Sequence, residues 1–423
     1  MVQYAHWRIN ASRRAKQGQT MDISRRNFIG CAGAGVLAQS LPAVAKPQGR
    51  NPMPYSGIDW SKAHQIKTTT HGHCTNQQML DVYLKRGFEF LTISNYYPSA
   101  PTYPGKEVRN DRHRVRQDFP VMVKGKRTDG PFEWNKIVGA WVDELPEEQR
   151  KQFPFSSTRP LFKAWPEGIL EAPNAEHHSF VGSPTHMCAV GSMFSSGTFD
   201  ARNKFKTVNH GYKLGSAEPW RTAIDRMLAG LIYPEGGGVT VNHPRWSRLT
   251  QEHLHEILDY DPRVIGIEVY NYSGGNKKKY PWSDYWSLDY WDKALASGRQ
   301  CFGVSVPDWA PERGVNVLVV PERSVRACLK AYRDGNFYGA IFGDIVKFTR
   351  IAFDGKVFSA ATDKPVRFEL ISKKGVVSSC NGTEFSWVLP SGTAAEHGYL
   401  RLTATPESNS EEMLFTQAQM LQA

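Results

Sequence analysis

Ile66-Lys67-Thr68-Thr69-Thr70-His71-Gly72-His73-Cys74 is a β-prone run that ends in two histidines, and a helix signal opens just beyond it at Thr75. On an extended segment, residues two apart point to one face, so His71 and His73 offer two imidazoles from one strand end. That pair suits a metal ion, with a weight that depends on the partners the rest of the chain supplies. Thr75-x-x-Gln78 has capping-box form, Met79, Tyr83 and Leu84 are spaced as a buried helical stripe, and Gly87 is a stop. The stretch therefore reads as one β-α unit.

The same alternation recurs downstream. Phe88 to Ser94 is a strand ending at Asn95-Tyr96-Tyr97-Pro98, and His178 to Val181 and His186 to Val190 are short strand candidates. A helix is predicted between Ala217 and Gly230, with Ile224, Met227 and Leu228 on one side. Gly238 to Asn242 is a strand that ends at His243-Pro244, followed by a helix from Thr250 with Leu254, Ile257 and Leu258. Val264 to Val269 ends at Tyr270-Asn271, a helix runs from Tyr285 to Gly298, and Phe302 to Val306 ends at Pro307-Asp308. Val315 to Val320 is a further strand, and Ser324 to Asp334 a helix capped by Gly335. Such regular alternation predicts an α/β fold with a parallel sheet, closed or nearly closed into a barrel.

The flanks read differently. Residues 46–62 are rich in Pro, Gly and polar residues and read as a linker to the barrel over 63–346. Residues 100–165 form an irregular insertion whose basic clusters suit a solvated face. Over 347–423 the segments Lys356 to Phe358, Val366 to Ile371, Phe385 to Leu389 and Tyr399 to Thr405 are short, β-prone and separated by turn residues, which predicts a small β-sandwich-like domain.

At the N-terminus, Ser24-Arg25-Arg26-Asn27-Phe28 precedes an apolar run from Ile29 to Leu41 and the Ala43-Val44-Ala45 site. Residues 1–45 thus read as an extension plus a twin-arginine (Tat) export signal, with residues 1–20 an over-extended start or a long basic region. The Tat machinery becomes an expected partner and the periplasm, or another extracytoplasmic space, the expected location. Cys31 lies too close to the arginines for a lipid anchor, and no stretch of about 18 apolar residues elsewhere supports a multi-span membrane protein. The net charge is +11 for the whole chain. Without residues 1–45, which hold six Lys/Arg and one acidic residue, 46 basic and 40 acidic groups remain, a net +6. That mild excess suits a small anionic substrate and contains no polybasic tract that calls for nucleic acid. Five cysteines remain after export, an odd number that excludes a framework made only of disulfides.

In a (β/α) barrel the working residues lie at the C-terminal ends of the strands. Those positions carry His71, His73, Asn95, His243, Glu268 with Asn271, and Asp308; Glu176-His177-His178 approach one strand and His186 starts another. Imidazoles and carboxylates gathered at strand ends point to a hydrolytic metal centre. Glu268 reads better as a hydrogen-bond partner of the His243 shell than as a ligand, and Cys74 and Cys188 as small buried apolar groups. Trp282, Tyr285, Trp286, Tyr290, Trp291 and Trp309 could line a sugar- or ring-binding cleft, although core packing explains Trp291 more simply.

Over residues 63–343 this pattern resembles the PHP (polymerase and histidinol phosphatase) superfamily. His71-Gly-His73 is similar to its first motif, Glu176 to its bridging glutamate, His186 and His243-Pro244 to its later histidines, and Asp308 to its late aspartate. The resemblance implies a distorted (β/α)7-like barrel holding divalent metals such as zinc, manganese or iron. Where that family has Thr-Asp-His this chain has Ser94-Asn95-Tyr96, and where it has Asp-x-His this chain has Asp308-Trp309-Ala310. Both absent histidines belong to a third metal position, so two metals are expected: one on His71, His73, Glu176 and Asp308, its neighbour on Glu176, His186 and His243. His178 or His177, flanking the bridging glutamate, is the candidate general acid, with His178 preferred because only one of the two can face inward. Arg245 and Asn95 are candidate substrate-binding residues. The implied activity is hydrolysis of a small phosphorylated compound. Its rivals are hydrolysis of a carboxylic ester or amide, and a degenerate barrel that binds a glycan without turnover.

Overall fold

The computed structural model describes residues 51, 53–74, 77–94, 122–123, 126–127, 166–178, 180–192, 219–272 and 286–421. The export-signal segment, Thr75, Asn95, Trp282, Tyr285 and nearly all of the basic insertion lie outside the described residues. In chain order the first elements are β1 (His64–Thr68), α1 (Gln77–Lys85), β2 (Phe90–Leu91), β3 (Met122–Val123), β4 (Lys126–Arg127), β5 (Leu170–Glu171), β6 (Glu176–His177) and β7 (His186–Val190). There follow α2 (Trp220–Ala229), β8 (Gly238–Asn242), α3 (Gln251–Tyr260), β9 (Val264–Asn271), α4 (Leu288–Ala296), β10 (Phe302–Val306), β11 (Val315–Val320), α5 (Val325–Asp334) and β12 (Phe337–Ala340). The C-terminal part holds β13 (Phe348–Phe353), β14 (Val357–Ser372), β15 (Gly375–Val388), α6 (Ala394–His397), β16 (Tyr399–Pro406), β17 (Leu414–Phe415) and β18 (Gln419–Met420).

The helix ends follow their sequence signals. The Thr250 hydroxyl accepts the His253 N–H at 3.2 Å to start α3, and Ser324 accepts the Ala327 N–H at 3.1 Å to start α5. Gly335 closes α5 at φ +74°, in the left-handed region that glycine adopts without strain. Their apolar stripes build the core. Met227, Val241, Leu254, Ile267 and Trp291 pack α2, α3 and α4 onto β8 and β9. Val304, Leu318, Leu329 and Tyr332 pack α5 onto β10 and β11, and Leu80, Tyr83, Val317, Phe348, Phe368 and Leu402 join α1 to the C-terminal strands. Every residue of β8 and β9 is buried, as near-continuous apolar strands covered on both faces require. Trp291 belongs to this core, fully buried, with its indole N–H donating to the Cys301 carbonyl at 2.9 Å.

Two sheets position the chemistry. One has the order β10-β9-β8-β7-β6, in which β8, β9 and β10 are parallel and joined by helical crossovers. β7 runs antiparallel to both β8 and β6. The other has nine strands along β1-β11-β12-β17-β16-β14-β13, with β15 on β14 and β18 on β16, and its pairings are antiparallel.

The fold is thus mixed α/β in several sheets, and the described strands do not close into one barrel. Among the described strands, parallel ladders join β8, β9 and β10 and the short β2-β5 pair, with isolated parallel bridges such as Lys67–Phe88 and Gly72–Asp308, whereas the nine-stranded sheet is antiparallel, a correction to the expected parallel sheet. Strand-helix alternation specifies local connections only. β1 finds its partner, β11, far along the chain and runs antiparallel to it. Past the expected boundary at 346/347, β17 bonds to both β12 and β16, so sheet hydrogen bonding continues across it. The chain over 53–62, read as a linker, also packs. The buried Tyr55 hydroxyl donates to the Phe337 carbonyl at 2.6 Å and accepts the Gln417 N–H at 2.8 Å, and Trp60 Nε1 donates to the Ile351 carbonyl at 3.1 Å. Its aromatic residues outweigh its turn-forming composition.

Candidate metal centre

Beyond β1 a short backbone network holds the histidine pair. The Gly72 N–H donates to Ser94 Oγ at 2.9 Å, the Ser94 N–H donates to the Gly72 carbonyl at 3.0 Å, and the Glu176 N–H donates to the Ser94 carbonyl at 3.0 Å. On the other side the His73 N–H donates to the Asp308 carbonyl at 2.8 Å, and the Asp308 N–H donates to the His71 carbonyl at 3.2 Å. One network therefore fixes His71, His73, Glu176 and Asp308 together. Gly72 is required by space, because a Cβ there would run into the Tyr83 hydroxyl. Asp308 at φ +55° and His243 at φ +27° occupy backbone conformations uncommon for residues with side chains, a strain found where a side chain must be aimed.

Four side-chain atoms converge at these ends. His71 Nε2 lies 3.3 Å from His73 Nε2, 3.3 Å from Glu176 Oε2 and 3.4 Å from Asp308 Oδ1. His73 Nε2 lies 3.0 Å from Glu176 Oε2 and 3.5 Å from Asp308 Oδ1. A tetrahedral ion bonded at about 2.0–2.1 Å keeps its ligands about 3.3–3.4 Å apart, so these donors stand at the spacing a metal needs. His71, His73 and Asp308 form one group that could hold an ion, and His71, Glu176 and His243 form another.

The second oxygen of Glu176 faces a different pair. His186 Nδ1 is 2.8 Å and His243 Nε2 3.3 Å from Glu176 Oε1, and Asn242 Nδ2 donates to the same oxygen at 3.4 Å. His186 reaches this place from the beginning of its strand. β7 is antiparallel to β8, which sets His186 opposite Asn242 and level with the end from which His243 projects.

Glu268 holds the His71 imidazole and the His243 backbone from behind. Its Oε1 accepts from His71 Nδ1 at 2.7 Å, while Oε2 accepts the His243 backbone N–H at 2.7 Å and Asn271 Nδ2 at 2.8 Å. With one proton held on Nδ1 by Glu268, Nε2 is the nitrogen turned to the convergence and free to bind an ion once its own proton leaves. Asn271 also donates to Asp308 Oδ2 at 3.2 Å.

The electrostatics favour positive charge. Burial opposes a charged His71, but Asp308 and Glu176 overcome it and hold the His71 pKa well above the usual imidazole value. Burial likewise opposes ionisation of Glu176, yet His71 and His186 keep its carboxyl well below the usual range. His73 is pushed down by burial, whereas His243, buried too, is raised by its hydrogen bond to Glu176 and by the charge of Glu268. A field that stabilises a proton among buried carboxylates also stabilises a divalent cation.

The other expected residues divide. His178 is half-buried with its ring centroid 5.2 Å from that of His186, whereas His177 is fully buried and its pKa is pushed down to about 3 by burial. Arg245 is turned to other work: its Nε donates to the Trp286 carbonyl at 2.7 Å and its guanidinium pairs with Asp289. Cys188 is buried, its thiol pushed up to about 12 by burial, with Asn242 Nδ2 at 3.3 Å from its sulfur. Trp309 stacks on His73 with centroids 3.9 Å apart and planes within 15°. Asn242, Trp246 and the Ser94 link drew no attention in the sequence. Asn242 sits beside His243 at a strand end, which is the signal that could have found it.

No family model and no curated protein matches the chain. Among solved structures it is similar to a two-domain protein from Bacteroides vulgatus ATCC 8482, described as containing a predicted PHP-like metal-dependent phosphoesterase. The two share 13% sequence identity at a TM-score of 0.39, over 81% of this chain and 90% of that one.

Proposed function

We propose that the protein is a metal-dependent hydrolase exported by the Tat route, acting as a phosphoesterase on a small anionic substrate in the periplasm or another extracytoplasmic space. The observation that carries this reading is the buried Glu176 carboxylate, with one oxygen 3.0 Å from His73 Nε2 and the other 2.8 Å from His186 Nδ1. A carboxylate so shared suits a bridge between two ions. His71, His73, Glu176 and Asp308 would hold one, and Glu176, His186 and His243 the other. Zinc, manganese or iron in such a pair supplies a water that ionises near neutrality and a counter-charge for phosphoryl oxygens.

The chain's own residues do the rest. Glu268 keeps the His71 proton on Nδ1, Asn271 steadies both Glu268 and Asp308, and Asn242 supports Glu176. His178, beside His186 and partly open to solvent, would donate a proton to the leaving oxygen. The buried His177 stays neutral and takes no such part.

The test is a panel of aryl and alkyl phosphates and carboxylic esters, assayed on the purified protein with and without added Mn²⁺ or Zn²⁺. Metal-dependent release of phosphate is expected, with His178→Gln slowing poor alkyl leaving groups far more than good aryl ones. Turnover of carboxylic esters alone would overturn the phosphoester assignment.

A further inference from the structure

Among the described residues, four large hydrophobic side chains are more than half exposed, and Trp246, at 56%, is the single aromatic one. It sits in the turn that follows β8, three residues after His243. Its ring centroid is 4.9 Å from that of His243 and 5.6 Å from that of His186, crossing them at 80° and 67°. The indole thus borders two of the imidazoles around Glu176, yet most of it faces water.

The turn that presents it is braced. The Ser247 N–H donates to the His243 carbonyl at 3.0 Å, the Arg248 N–H to the Arg245 carbonyl at 3.0 Å, and the Leu249 N–H to the Pro244 carbonyl at 2.9 Å. Arg245 ties the turn to α4 through the Trp286 carbonyl and Asp289. A large aromatic surface that is both exposed and rigid loses little conformational freedom on binding, the property of an anchoring side chain.

We propose that Trp246 is a stacking platform for the substrate's leaving group, and that the substrates are phosphoesters whose leaving oxygen carries a planar aromatic or heteroaromatic ring. This rests on the phosphoesterase reading above. The short distance from Trp246 to His243 and His186 places the ring within a few bonds of the phosphorus. A hydroxyl-rich sugar fits less well, because two polar neighbours in the turn are already engaged, Arg245 with Asp289 and Ser247 with His243 Nδ1 at 3.2 Å. Stacking on an indole asks for no further hydrogen-bond partners.

The test compares binding of phenylphosphonate and methylphosphonate to the Mn²⁺-loaded full chain by calorimetry, in wild type, Trp246→Ala and Trp246→Phe. Wild type should bind the phenyl compound about tenfold more tightly, the worth of one stacked ring. Trp246→Ala should bring that ratio to about one, and Trp246→Phe should restore most of it. Equal binding of the two compounds by wild type, or an unchanged ratio in Trp246→Ala, overturns the platform while leaving the phosphoester reading intact. Failure of both compounds to bind in a metal-dependent way overturns both readings.

Discussion

Replacing Glu268 by Gln tests the architecture behind the site, since two carboxylate oxygens there accept three donors: His71 Nδ1 at 2.7 Å, the His243 N–H at 2.7 Å and Asn271 Nδ2 at 2.8 Å. Glutamine keeps the shape but has one acceptor oxygen and one NH₂. If the NH₂ faces His71, the imidazole must accept through Nδ1 and move its proton to Nε2. That atom stands 3.3 Å from both His73 Nε2 and Glu176 Oε2, and it can then no longer bind an ion. If the NH₂ faces the other way, the His243 N–H and the Asn271 amide are both left against a donor, at about 1–3 kcal/mol for each buried group. Loss of an orienting partner of this kind typically weakens metal affinity 10- to 100-fold, or about 1.4–2.7 kcal/mol. Calorimetric titration of the metal-free protein with Zn²⁺ or Mn²⁺, alongside thermal melts, reads both arms. Affinity within about twofold of wild type together with an unchanged melt would refute the reasoning.

Three other perturbations have outcomes set by the structure. Gly72→Ala drives a methyl group into the Tyr83 hydroxyl and should cost about 1–3 kcal/mol in urea unfolding, partly recovered by adding Tyr83→Phe; equal stability of Gly72→Ala and wild type would contradict it. Burial opposes ionisation of Asp261, but the Arg263 guanidinium and backbone N–H hold its carboxyl below the usual value. Stability from a depressed carboxyl is fully present above the unfolded pKa of about 3.9 and fades as pH falls through the lower folded value. Wild type should therefore melt above Asp261→Asn at neutral pH and converge with it in acid, and a gap that persists in strong acid would count against the pairing. Metal analysis should show His73→Ala and His186→Ala each losing part of the bound metal and Glu176→Ala losing the most; Glu176→Ala with a full complement would exclude its bridging role.

Much of the site could be read from strand ends, because a histidine or carboxylate that terminates an apolar run has few other places to go. His71, His73, His243 and Asp308 were found that way, and the structure gathers them with Glu176 and His186. The direction of β7 was invisible: a short apolar run carries no sign of antiparallel pairing, so His186 looked displaced at the wrong end of its strand. Glu268 reads from the sequence as a partner of the His243 shell, but its equally short tie to His71 joins residues 197 apart that only tertiary structure brings together. Arg245 shows the converse limit. Its position beside His243-Pro244 suggests substrate, and the structure adds two partners that the sequence does not show, Asp289 and the Trp286 carbonyl. In the C-terminal part, turn-separated β segments were legible, but β17 pairing with β12 depends on a two-residue strand with no periodicity to detect.

The central claim is that Glu176 joins two metal ions. Diffraction from crystals of the Mn²⁺- or Zn²⁺-loaded protein, recorded at the metal's absorption edge, tests it most directly. The account predicts two anomalous peaks about 3.5–4 Å apart, one at each oxygen of Glu176, the first among His71, His73 and Asp308 and the second beside His186 and His243. No peak at Glu176, or a single ion touching only one of its oxygens, would contradict it.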